Sequence, residues 1–102
     1  MKEKALRYNK GKPKWGLVEW SSLVPLVEVL MFGAEKYAPN NWKKGLDRTE
    51  ILESAQRHLI ALFNGEETDE ESKLSHAGHV MCNMMFYIFF TNKLKKEDEG
   101  RK

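Results

Sequence analysis

One cysteine in 102 residues, Cys82, excludes an internal disulfide framework and suits a reducing compartment, so the expected location is cytoplasmic. The N-terminus is charged and no apolar h-region follows it, so no signal peptide is expected. The longest near-apolar run, residues 80–90, is interrupted by Asn83 and is too short to span a bilayer. A P-loop, a dinucleotide-binding glycine fingerprint and an HExxH zinc motif are all missing. Net charge is only +2, which argues against a protein that coats DNA; a nucleic-acid module built on the basic arm is the least favoured reading, so nucleic acid is not an expected partner. No internal repeat and no linker divides the chain, which reads as a single domain over residues 1–102.

What is present describes a globular protein: 41% apolar and 31% charged residues, with no long disordered tract. Charge is unevenly laid out. Lys2, Lys4, Arg7, Lys10, Lys12 and Lys14 crowd a basic arm, residues 1–16, whereas residues 66–71 form an acidic run. Within the arm, Gly11-Lys12-Pro13 is a turn signal that sets Lys12 beside flexible backbone, where it can fold over a bound anion.

The apolar pattern predicts three main helices and an all-α bundle. The first runs over about 22–37, with Ser21 or Ser22 as N-cap and Pro25 in the first turn, where no intrahelical N–H partner is lost. Its surface is apolar almost all round, which predicts burial all round. Glu28 is the exception, and Glu35 follows two turns later on nearly the same line. A carboxylate in such a helix requires a cation or a hydrogen-bonding network. The second helix begins at Asp47, with Glu50 completing a capping-box pattern, and stops at Asn64-Gly65. His58 falls within its apolar stripe, and Glu53 and Arg57 are spaced to pair.

Thr68 and Glu71 repeat the capping-box pattern and place the start of the third helix near Asp69 or a few residues later; it runs to about Asn92, followed by a charged, frayed tail over 93–102. Its apolar residues cover every direction, more than three helices of one chain can bury. The first and third helices are therefore expected to meet their counterparts in a homo-oligomer, at least a dimer. A polar line crosses that surface: His76, His79 and Asn83 at i, i+3 and i+7, with Tyr87 one turn on. Such a line binds either its own members or a ligand. His76, His79 and Cys82 lack a second spaced pair to complete a structural zinc site. Cys82 also lies mid-helix, where thiols are inert, so it is not expected to be a nucleophile.

The richest stretch is FGAEKYAPNNWKKG, residues 32–45. It gathers the groups that hold a phosphorylated aromatic molecule: Lys36 and Lys44 for phosphate, the Asn41 amide for a base edge, and Tyr37 or Trp42 for stacking. The alternative is a helix-ending turn with a structural tryptophan.

Four motifs in order, KGKPKWGL, FGAEKYAPNNWKKG, SAQRHLIALFNGEETDEES and HAGHVMCN, resemble the mostly phage-encoded N-terminal domain of dATP/dGTP diphosphohydrolases over roughly residues 7–90. More distantly the pattern is similar to the MazG-like all-α nucleotide pyrophosphatases. The resemblance implies a helical oligomer that holds magnesium on carboxylates and cleaves a nucleoside triphosphate to monophosphate and pyrophosphate. It implies Glu28 and Glu53 as catalytic residues, with Glu28, Glu35 and Glu53 as magnesium ligands. Lys36, Lys44 and Arg57 would clamp phosphates, Asn41 and Trp42 would meet the base, and His58, His76, His79 and Asn83 would line the pocket. The pattern departs from the wider superfamily in two respects: the helix resembling the one that bears E-x-x-D carries His76 and His79 instead, and Glu28 has no carboxylate at i+3. The alternative expectation is a non-catalytic nucleotide-sequestering protein, an anti-defence sponge for a cyclic or oligonucleotide immune signal, which needs no cofactor. A phage-encoded chain of either kind would work in the host cytoplasm.

Overall fold

A computed structural model describes residues 3–100; the outermost two residues of both the basic arm and the charged tail fall outside them. Three α-helices dominate: α1 (Val24–Lys36), α2 (Arg48–Phe63) and α3 (His76–Gly100). Short 3-10 turns precede α1 at Trp15–Leu17 and Trp20–Leu23, and another joins α1 to α2 at Asn41–Lys44. The only extended pairing among the described residues is an isolated bridge between Thr68 and Ser75, so the all-α expectation holds.

Helix α1 needs no side-chain cap. It grows directly out of the preceding 3-10 turn, with the Val24 amide bonded to the Ser21 carbonyl, so Leu23 rather than Ser21 or Ser22 occupies the N-cap position. Helix α2 follows its sequence signals. Asp47 Oδ1 accepts hydrogen bonds from the amides of Thr49 (2.8 Å) and Glu50 (3.2 Å). The far end stops at Asn64, with Gly65 in the left-handed region at φ +82°.

Helix α3 starts later than the Thr68–Glu71 pattern suggests. The acidic segment forms a tight hairpin instead: the Asp69 amide bonds to the Leu74 carbonyl (2.8 Å) and the His76 amide to the Glu67 carbonyl (2.9 Å). Asp69 spends its carboxylate on the Ser72 amide within that hairpin, and Lys73 turns the chain at φ +63°. The cap of α3 is Ser75, whose Oγ accepts from the Gly78 amide at 3.1 Å. At its other end α3 continues through the expected tail to Gly100, because residues 93–99 are mostly good helix formers with no breaker among them.

Helix α3 packs against both α2 and α1. The buried apolar residues are Val29, Ile51, Ala55, Ala61, Cys82 and Phe90. Burial of α1 on all sides does not occur in the single chain: Val24 is 51% exposed and Met31 64% exposed. Two packed neighbours cover only part of its circumference, and Glu28 and Glu35 are both exposed.

Candidate functional site

Two places in the fold gather chemistry-bearing residues. The first lies where α1 ends and the Asn41–Lys44 turn crosses α3. Pro39, the left-handed Asn40 (φ +60°) and Gly45 (φ +138°) bend the chain there, so that Trp42 lies back over α3. Its ring stacks on Phe86 at 4.6 Å between centroids and meets Phe89 edge-on at 4.9 Å. Beside this aromatic cluster is an open groove of about 520 Å³, lined by Met31, Phe32, Tyr37, Asn41, Trp42 and Phe86 among others. Lys43 also lines it, with Nζ 5.6 Å from the Trp42 ring centroid. The groove is mainly apolar with a few polar groups and has the size of a small-molecule site. Tyr37, Asn41 and Trp42 thus come together as the sequence suggests. Trp42 packs on α3, as the structural alternative expects, and also lines the groove.

The second place is the junction of α2, the hairpin and the first turns of α3. The polar line on α3 turns toward α2: Asn83 Nδ2 donates to Ser54 Oγ at 3.2 Å, and the Arg48 guanidinium lies 5.6 Å from the Tyr87 ring. At the head of that line His58 Nδ1 and His76 Nδ1 are 2.8 Å apart, so one ring donates and the other accepts. The His58 ring stacks on His79, with centroids 4.3 Å apart and planes 4° from parallel. His79 Nε2 shares a hydrogen bond of 2.7 Å with Ser72 Oγ. Asp69 Oδ2 accepts from the Ser72 amide at 2.8 Å. One ligand atom from each of His58, Asp69 and His76 lies within 4.8 Å of the other two.

Burial, helped by the neighbouring His79, holds His58 below the ordinary imidazole value, and burial does the same to His79. The Ser72 amide hydrogen bond holds the Asp69 carboxyl below the usual carboxylate range. The junction thus sets the Asp69 carboxylate beside two imidazoles, His58 and His79, whose charged form burial disfavours. Cys82 is buried, and its thiol is pushed up to about 12 by loss of solvent, in keeping with an inert residue.

The other sequence-derived residues lie apart from both places or at their margins. Glu28, Glu35 and Glu53 are exposed, and among the described residues these three do not gather into a common donor set. Glu53 and Arg57 make no ion pair with each other; the pair formed instead joins Lys36 Nζ to Glu71 at 3.2 Å and ties α1 to the hairpin. Lys12, Lys44 and Arg57 are exposed. Asp69 and Ser72 are not among the site residues that the sequence singles out, although Glu66 and Asp69 reproduce an E-x-x-D spacing just after the Gly65 stop. Asp69 sits in a run of acidic residues that reads as a solvated helix start, and only the hairpin brings it to the histidines.

Residues 2–100 match the family described as dATP/dGTP diphosphohydrolase, N-terminal. Over 96 residues the chain is 28% identical to a protein of Salmonella phage PMBT28 named dATP/dGTP diphosphohydrolase, a match that covers 94% of this chain and 33% of that protein. The chain thus spans about a third of that relative's length. No solved structure matches.

Proposed function

The chain belongs to the dATP/dGTP diphosphohydrolase N-terminal family, and from that premise we propose that it binds a purine deoxynucleoside triphosphate and hydrolyses it to monophosphate and pyrophosphate. The groove beside Trp42 carries this reading. Its volume of about 520 Å³ and its apolar wall suit a purine, the Asn41 amide supplies a base-edge donor and acceptor, and Tyr37 supplies a further ring. Lys43, which lines the groove, and the exposed Lys44 next to it in the chain, with Lys36 at the end of α1, would supply charge for phosphates. Among the described residues no helix is long and apolar enough to cross a membrane.

Magnesium on Glu28, Glu35 and Glu53 does not fit one chain, since these exposed carboxylates lie on two helices and do not converge. A homo-oligomer would answer that difficulty and would also cover the exposed apolar residues of α1. In such an assembly the carboxylates of one copy would meet those of another, and sedimentation velocity of the untagged protein at micromolar concentration reads the expected dimer or larger species.

Calorimetric titration with dGTP, dATP and dCTP tests the groove. The expected result is saturable binding of both purine nucleotides, weakened roughly tenfold or more by Asn41→Ala, because a base-edge amide is worth on the order of 1–3 kcal/mol. Equal affinity for dCTP, or purine affinity unmoved by Asn41→Ala, would contradict the assignment of the base to this groove.

A further inference from the structure

We propose that His58, Asp69 and His76 form a binding site for one first-row transition-metal ion of the zinc or manganese class, distinct from any magnesium held on glutamates. The inference goes beyond the nucleotide reading and stands without it. Three separate segments supply the donors: α2 gives His58, the hairpin gives Asp69, and the first residue of α3 gives His76. Their ligand atoms already lie within 4.8 Å of one another. Donors about 2.0–2.1 Å from a tetrahedral ion sit about 3.3 Å apart, so side-chain rotations alone complete the set. The contact of 2.8 Å between the two Nδ1 atoms would open by about half an ångström as the ion replaced their shared proton.

The surroundings hold these donors in place. His76 is only 8% exposed, and its own amide is fixed on the Glu67 carbonyl. Asp69 is oriented by the Ser72 amide, the His58 ring is held flat against His79, and His79 is fixed by Ser72 Oγ. Partners of this kind orient metal ligands and tune the site. A purely structural network explains the cluster less well. Between His58 and His76 one shared proton makes a single bond, whereas a cation that displaced it would take a lone pair from each ring. The donor set of two nitrogens and one carboxylate suits zinc, manganese or iron(II) better than magnesium, which demands oxygen ligands and keeps its waters. Three protein donors also leave a position for water or a phosphate oxygen.

The test uses untagged protein stripped with chelator and then dialysed free of it. Zinc or manganese is added while thermal denaturation and the histidine ring signals in ¹H–¹⁵N spectra are followed. Zinc should bind one ion per chain, raise the melting temperature and shift the Nδ1 resonances of His58 and His76, whereas millimolar magnesium should leave those resonances unmoved. Asp69→Asn and His58→Gln should each weaken zinc binding by roughly tenfold or more. Should a variant misfold, the wild-type ring signals decide by themselves. Zinc that leaves the His58 and His76 nitrogens unchanged, or binds equally well to both folded variants, overturns the proposal, as does magnesium that shifts them.

Discussion

Gly78 on α3 passes so close to Pro25 at the start of α1 that a Cβ at position 78 would lie 2.6 Å from the Pro25 carbonyl oxygen and 2.9 Å from its carbonyl carbon. Both obstacles are backbone, which cannot swing away as a flexible side chain would. Gly78→Ala should therefore force α1 off α3 and destabilise the fold by about 1–3 kcal/mol, the usual cost of overpacking. Urea unfolding monitored by circular dichroism checks it; an alanine variant as stable as wild type would mean that α1 does not sit in this register.

Trp42 and Tyr37 share the groove but differ in what else they do. Trp42 packs on Phe86 and Phe89, so Trp42→Ala should cost about 2 kcal/mol or more with no ligand present. Tyr37 is 65% exposed, and Tyr37→Ala should change ligand-free stability by no more than about 0.5 kcal/mol while weakening purine nucleotide binding. Paired denaturation and binding curves separate the two roles. The proposed use of Tyr37 fails if its alanine variant binds dGTP as wild type does.

Glu28 is exposed, so replacing it removes little packing. Glu28→Gln should keep the wild-type melting temperature within about 0.5 kcal/mol equivalent and abolish turnover. Product chromatography under saturating magnesium reads the second half of that statement. Normal turnover in the variant removes Glu28 from the catalytic set.

Burial of Cys82 predicts a slow thiol. A thiol reagent at pH 8 should label the native chain far more slowly than the urea-unfolded chain, with the native rate rising as denaturant opens the structure. Equal rates would show that Cys82 is open to solvent.

Much of the fold is legible in the residues themselves because local physics decides it. Asp47 and the Asn64-Gly65 stop bound α2 wherever the rest of the chain goes, and the apolar content of α1 and α3 marks both as helices. The start of α3 is not legible. Thr68 and Ser75 are both good caps, and the choice falls to Ser75 only because the Asp69 carboxylate and the Thr68–Ser75 bridge close a hairpin between them. The candidate sites divide in the same way. Tyr37, Asn41 and Trp42 are close in sequence and so can be read together. The partnership of Asp69 with His58 and His76 spans three segments and depends on that hairpin, which no helical spacing reveals.

The most direct measurement is product analysis after incubating the untagged chain with dGTP or dATP and a divalent metal, with chelator as control. The account predicts deoxynucleoside monophosphate and pyrophosphate in equal amounts, formed only with metal. Nucleotide recovered intact from protein that demonstrably binds it would contradict hydrolysis and leave the groove as a site that holds its ligand without cleaving it.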